Sequence, residues 1–270
     1  MSGHVLITGA ASGIGAAIAA DLSARGWQVS ATDLRADLLE RLRADLHARS
    51  GAAPRVRAGD LADPDFAEEV VADAWSARPL DALVNAAGIY PARPLLEMTA
   101  DAWDRVMAVN VRAPMLTTVA LARHATAEDR TAAVVNITSG AALRARPGAA
   151  HYCTSKAALT MSTKACALEL GTHGIRVNAV SPGFVQVDST ANPVTQEYAA
   201  AVSPNPLGRI GLPGDLLGAV RFLLSGDANW ITGAVLDVDG GSAAGTTELP
   251  LHWAGESAAQ NGTTRPQAAG

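Results

Sequence analysis

Tyr152 and Lys156 stand four residues apart in the run Tyr152-Cys153-Thr154-Ser155-Lys156, and Ser139 lies thirteen residues upstream of the tyrosine. On a helix, residues four apart share a face, with Cβ atoms ~5–6 Å from one another. A phenol ordinarily titrates near ~10, and each pH unit is worth about 1.4 kcal/mol. An ammonium ~4 Å away, at an effective dielectric of ~20, supplies roughly 4 kcal/mol. That would bring the phenol down by about three pH units, to where it exchanges protons near neutrality. The pattern Y-x-x-x-K is common by chance, so its meaning depends on what positions it.

The elements that could position it alternate along the chain. His4-Val5-Leu6-Ile7-Thr8 reads as a buried strand, and Gly9-Ala10-Ala11-Ser12-Gly13-Ile14-Gly15 follows at once. Ile14, Ile18 and Leu22 then recur at helical spacing as far as Gly26. A strand, a glycine-rich turn and a helix let the backbone approach a pyrophosphate at the positive helix N-terminus. The spacing is one residue wider at its first gap than G-x-G-x-x-G, and an ordinary tight turn would look similar. The next strand, Gln28 to Asp33, ends on an acid that could accept hydrogen bonds from adenosine ribose hydroxyls and repel a 2′-phosphate. Leu34 follows it, and neither Arg35 nor Arg25 sits where it evidently neutralises Asp33. Asp33 or Asp37 could equally cap a helix over 36–49.

Further strands are expected over Val56–Leu61, with Asp60 and Leu61 at an end where adenine can rest, and over Leu80–Val84, running into Asn85-Ala86-Ala87-Gly88. Helices are expected from Asp63-Pro64 to about Arg78, over 100–125 and over Pro213–Leu224. Asn110 in the middle of the 100–125 helix is unfavourable unless its side chain is engaged. Ala133–Ile137, Ile175–Val180 and Ala234–Val238 complete the strand set. Residues 184–212 carry scattered Pro and Gly and read as a substrate lid, since so long a loop is usually functional. Residues 242–270 form a tail whose last fifteen or so residues are expected to be disordered.

Near-continuous apolar strands alternating with helices imply one α/β domain over 1–241. It would be a doubly wound, seven-stranded parallel sheet with helices on both faces. Gly9–Gly15, Asp33, Asp60, Asn85, Ser139 and Pro182 all fall at carboxyl ends of strands, where such sheets bind ligands. The net charge of −5 and the lack of a basic run argue against nucleic acid as a partner. No apolar run is long enough for a membrane span, and no signal-peptide pattern is seen, so a cytoplasmic setting is expected. Cys153 and Cys166 would lie about 20 Å apart on one helix, too far to bridge.

These motifs resemble the short-chain dehydrogenase/reductase family of the classical type, over residues 4 to 241. The resemblance rests on Thr8-Gly9-x-x-x-Gly13-x-Gly15, Asn85-Ala86-Ala87-Gly88, Asn110, Ser139, Tyr152-x-x-x-Lys156, Arg176-Val177-Asn178 with Pro182-Gly183, and Val238-Asp239-Gly240-Gly241. It implies a Rossmann-fold oxidoreductase passing a hydride between NAD and a secondary alcohol or ketone, with no metal. In that reading Tyr152 is the general acid/base, and Lys156 lowers its pKa and holds the nicotinamide ribose. Ser139 bonds the substrate oxygen, and Asn110 anchors a proton-relay water. The implied cofactor contacts are Gly9, Ser12, Gly13, Ile14, Gly15, Asp33, Leu34, Asp60, Leu61, Asn85, Ala86, Ala87, Gly88, Pro182, Gly183 and Val185, besides Tyr152 and Lys156. Val187 stands where the family commonly has a threonine, for which Ser189 or Thr190 could substitute. A homotetramer is implied, packed through the helices of Asn110 and Tyr152 and through the last helix and strand.

Tyr90, Ala141, Leu143, Phe184 and Tyr198 are candidate pocket walls beside Ser139 and suggest an apolar or aromatic substrate. Arg93, Arg144 and Arg146 on flanking loops could instead hold an anion. His151 precedes the tyrosine on another helix face. A 3-oxoacyl-type ketoreductase using NAD(P)H and a non-catalytic dinucleotide-binding protein are the competing readings.

Overall fold

The central strands are buried at every position, and their alternating side chains divide the interior into two apolar layers. The computed structural model describes residues 3–51, 53–187, 196–202 and 204–245. Seven parallel strands run in the order β3-β2-β1-β4-β5-β6-β7. They are β1 His4–Thr8, β2 Gln28–Asp33, β3 Arg55–Ala58, β4 Ala82–Asn85, β5 Ala132–Ile137, β6 Ile175–Pro182 and β7 Val235–Val238. Val5, Ile7, Val84 and Val135 face one layer, which is filled by Ile18 and Leu22 of helix α1 (Gly13–Ala24) and by Leu216, Val220 and Leu223 of helix α8 (Pro213–Leu224). Leu6, Leu83, Val134 and Val177 face the other. There they meet Val70, Val71 and Ala74 of helix α3 (Pro64–Ala77), Leu121 of helix α5 (Ala113–Ala127) and Ala167 of helix α6 (Ala150–Leu170). Each fully buried Leu, Ile or Val contributes roughly 1.5–3 kcal/mol relative to exposure. Helix α2 (Ala36–Ser50) packs Leu42 and Leu46 beside α1.

The strand order reverses between β1 and β4, which opens a crevice at the carboxyl edge of the sheet. The expected doubly wound architecture is therefore present. Three expectations are corrected. The helix expected over 100–125 is interrupted: helix α4 (Ala100–Met107) passes through a π-turn (Ala108–Arg112) into α5. The loop 184–212 contains a short helix, α7 (Gln196–Val202), and its two ends are tied by Val185 bridging Gly211. Residue 242 belongs to the packed body, because Ser242 is buried and accepts a 2.7 Å bond from Arg144 Nη2. Ser189, Thr190, Pro193 and the tail from residue 246 lie outside the described residues. No described helix is long and apolar enough to cross a membrane.

Candidate active site

Four of the singled-out polar residues converge at the carboxyl ends of β4 and β5. Ser139 follows β5 in extended backbone (φ −173°, ψ 151°), and its Oγ accepts from Ala141 N at 3.1 Å. Tyr152, in the first turn of α6, places its phenol close enough to the Ser139 side chain for that hydroxyl to favour the ionised form. Lys156 lies one turn further along, almost fully buried, and its Nζ donates to Ile137 O at 2.9 Å. An ammonium has three donors, so two are left without a partner among the described residues. Asn110 sits in the π-turn, where Ala113 N–H bonds Ala108 O five residues back. Its Nδ2 donates to Ile89 O (2.8 Å) and Ser155 Oγ (3.0 Å), and its Oδ1 accepts from Ile89 N at 2.8 Å. Ser155 Oγ donates in turn to Tyr152 O at 2.7 Å. Asn110 thus fastens the chain after β4 to the helix of Tyr152 and Lys156. An asparagine so placed justifies the wide turn, since π-bulges recur where a helix must aim a side chain.

The electrostatics depart from the Coulomb estimate made on sequence. Burial raises the Tyr152 phenol above its ordinary value; the Ser139 hydroxyl and the Arg146 charge oppose this without overcoming it. Burial alone lowers Lys156, to about 8. Lys156 Nζ lies 5.9 Å from the Tyr152 ring centroid, and burial is the largest influence on both groups. In the cofactor-free protein, loss of water therefore outweighs the attraction between the two groups.

The glycine turn fits a dinucleotide. A Cβ at Gly15 would lie 2.1 Å from Gly9 O, so only glycine allows α1 to start this close to β1. Gly9 adopts φ +64°, and a Cβ there would meet Ala87 Cα at 2.6 Å, which brings the small residues Ala86-Ala87-Gly88 against the turn. A Cβ on Gly88 would sit 3.4 Å from Lys156 Nζ. Val187 lies over Gly13, with Cγ1 3.1 Å from where its Cβ would be. Asp33 closes the far end, its Oδ2 accepting from Ala11 N at 3.1 Å and its Oδ1 from Arg35 N at 3.1 Å. Leu34 is exposed beside it.

The side chains of Arg35, Asn85 and Asp60 take partners that sequence alone does not indicate. Arg35 Nε is 3.3 Å from Asp33 Oδ1, and its Nη2 donates to Ser12 Oγ at 2.5 Å, so this arginine does offset the Asp33 charge. The Asn85 side chain is buried on the α5 face of the sheet. It donates to Asn136 Oδ1 (2.9 Å) and accepts from Thr117 Oγ1 (2.8 Å), leaving only its backbone near the turn. Asp60 is tied to Arg105 at 2.7 Å and is held below the usual carboxylate range chiefly by that bond, with Leu61 buried behind it. Ile14 packs against the core, and Pro182, Gly183 and Val185 continue from β6 into the lid, Gly183 N donating to Val238 O.

Of the candidate walls, the Tyr90 ring centroid is 6.0 Å from that of Tyr152, and Arg146 lies over Tyr152 (5.6 Å) and Tyr198 of α7 (5.9 Å). Ala141 is partly buried and Leu143 exposed in the turn after Ser139, and Phe184 O accepts from Gly211 N at the lid's base. His151 is fully buried with neither ring nitrogen hydrogen-bonded, and burial lowers its pKa. A groove of ≈ 640 Å³ between Ser23, Trp27, Pro54 and Arg78 opens at the amino ends of the strands, away from all of these groups. Among the described residues no cluster of His, Cys, Asp or Glu could hold a metal ion.

A parallel sheet with a glycine turn at its switch point, and an acid–base cluster across the crevice, defines a dinucleotide-dependent oxidoreductase. A family profile described as enoyl-(acyl carrier protein) reductase matches residues 9–243. D-Erythrulose reductase of Gallus gallus is 38% identical over 244 residues, covering 88% of this chain and 94% of that protein. (3R)-3-Hydroxyacyl-CoA dehydrogenase of Mus musculus is 37% identical over 255 residues, covering 89% and 96%. The crystal structure of a short-chain type dehydrogenase/reductase from Mycobacterium marinum superposes with a TM-score of 0.84 at 31% identity, covering 90% of this chain and 96% of that one. The chain belongs to the short-chain dehydrogenase/reductase family. It is an NAD(P)-dependent oxidoreductase acting on CH–OH groups of secondary alcohols or the corresponding ketones.

Proposed function

We propose that Tyr152 is the proton donor and acceptor of this oxidoreductase, that Lys156 and Ser139 prepare it, and that NAD is the preferred cofactor. The observation that carries the reading is the convergence of the Tyr152 phenol, the Ser139 hydroxyl and a buried Lys156 ammonium with two unused donors. Bound nicotinamide supplies or accepts the hydride. Lys156 would hold the ribose hydroxyls with its two remaining N–H groups, at the place where a Gly88 side chain would intrude. Tyr152 would pass its phenolic proton to the carbonyl oxygen during reduction and recover it from the hydroxyl during oxidation. Ser139 would donate to the same oxygen, a bond that tightens as charge develops there. The Asn110 amide is already bonded to Ile89 and Ser155. A relay water at the π-turn would therefore be held by a backbone carbonyl released from α-helical pairing rather than by this side chain. Tyr90, Tyr198, Phe184, Ala141 and Leu143 would wall the substrate.

NAD preference is supported by the Asp33 carboxylate at the end of β2, where it would face the ribose hydroxyls and repel a 2′-phosphate. Arg35 is the counterweight, because without Asp33 its guanidinium would be free to bind that phosphate. Steady-state kinetics should show a higher kcat/KM with NAD(H) than with NADP(H), and Asp33→Ala should reverse or abolish that preference. Preference for NADP(H) in the wild-type protein would overturn the assignment. The 3-oxoacyl ketoreductase reading draws support from the hydroxyacyl-CoA dehydrogenase relative; turnover of 3-oxoacyl thioesters but not of free ketones would favour it. A homotetramer is supported by exposed apolar side chains on α5 and α6 (Met115, Met161, Leu168) and near α8 and β7 (Phe222, Trp230, Leu236). Sedimentation velocity tests it.

A further inference from the structure

We propose that the substrate carries a carboxylate a few bonds from the reacting carbon and that Arg146 binds it. This rests on the oxidoreductase reading of the Tyr152 site and names the class of alcohol or ketone that the site takes. Arg146 is partly buried, and the contacts of its guanidinium are two aromatic faces, those of Tyr152 and Tyr198. Neither face accepts the in-plane N–H groups, and among the described residues the five donors of this fork make no hydrogen bond or ion pair to an oxygen. Lid-side Arg209, by contrast, is paired bidentately with Asp215 at 2.7 Å.

The surroundings are biased the same way. Arg93 N donates to Gly148 O at 2.8 Å, which binds the loop of Arg93 to that of Arg146. Arg93 itself reaches only the backbone carbonyl of Glu97, and Arg144 reaches Ser242 Oγ, so neither is ion-paired among the described residues. The nearby acids do not compensate. Asp239 spends its carboxylate on Gly241 N and Ala243 N, and among the described residues neither Glu197, next to Tyr198 in sequence, nor Glu97, whose backbone carbonyl Arg93 reaches, forms an ion pair with Arg146 or Arg93. The mouth is therefore locally cationic on a chain whose net charge is −5. A partly desolvated guanidinium beside the acid–base tyrosine is suited to bidentate capture of a carboxylate, with the alkyl part of the substrate against the tyrosine rings. Such a contact also fixes which face of the carbonyl meets the hydride donor.

The test compares 2-, 3- and 4-oxopentanoate with their methyl esters, using NADH and NADPH with the wild type, Arg146→Gln and Arg146→Lys. In the wild type at least one acid should exceed its ester in kcat/KM by tenfold or more. Arg146→Gln should lower kcat/KM for that acid about 10–100-fold more than for its ester, and Arg146→Lys should recover part of that difference. An ester equal to or better than its acid in the wild type would overturn the inference. So would an equal loss for acid and ester in Arg146→Gln, which would place Arg146 in the tuning of Tyr152 instead. Turnover of no ketone, acid or ester would count against the underlying reading of the site itself.

Discussion

Replacing Lys156 by methionine should make the cofactor-free protein more stable while removing its activity. Burial lowers the ammonium from 10.5 to about 8. At about 1.4 kcal/mol per pH unit, keeping the charge inside the fold at pH 7 costs roughly 3 kcal/mol. Methionine has a similar length and no charge, but it leaves Ile137 O without its 2.9 Å bond, a loss of about 1 kcal/mol. The net gain is about 2 kcal/mol, which in a chain of this size raises Tm by about 4–8 °C. The pH dependence carries the sign. The folded pKa lies below the unfolded one, so between pH 8 and 10.5 the unfolded state binds the extra proton and wild-type stability rises with pH. The penalty is complete below pH 8 and gone above 10.5, so the advantage of Lys156→Met should shrink as pH rises through that window. Urea unfolding of both proteins without cofactor, at pH 7 and pH 10, measures it. A variant less stable than wild type at pH 7, or a difference independent of pH, would refute the reasoning.

Two further outcomes follow from the same structure. His4 is fully buried, bonded to Arg78 O and Ser30 Oγ, and held below its ordinary pKa chiefly by burial. Its contribution to stability is complete above pH ~6.5 and is lost as pH falls through the folded pKa, so Tm should drop from pH 7.5 to 5 and His4→Asn should flatten part of that slope. Gly15→Ala would force a Cβ to 2.1 Å from Gly9 O, so it should abolish NADH binding in a fluorescence titration; an unchanged Kd would contradict the cradle.

How much of this was legible beforehand depended on whether the determining contacts are local. Apolar runs and helical spacing placed β1 at His4–Thr8 and α8 at Pro213–Leu224, and the parallel sheet followed from their alternation. An asparagine inside a helical stretch marked Asn110 as engaged, but not that the helix widens there to accommodate it. Helix α7 was missed because seven residues, Gln196–Val202, between prolines give too little periodicity to see. The burial of the Asn85 side chain was readable from strand alternation, since it shares a face with Leu83, but its partners Asn136 and Thr117 come from distant segments. The reach of Arg35 to both Asp33 and Ser12 depends on how the first turn folds back over β2, which no local pattern encodes. The direction of the Tyr152 shift was misjudged because a Coulomb estimate for an i, i+4 pair omits desolvation, and here Lys156 is buried and Tyr152 partly so.

The most direct measurement of the central claim is single-turnover hydride transfer by Tyr152→Phe, followed by NADH absorbance, alongside NADH binding by the same variant. The phenolic proton would be lost with the hydroxyl, while the glycine turn and Asp33 would be untouched. The account predicts a fall in rate of about 10²–10⁴-fold with Kd for NADH nearly unchanged. A rate close to wild type would contradict it.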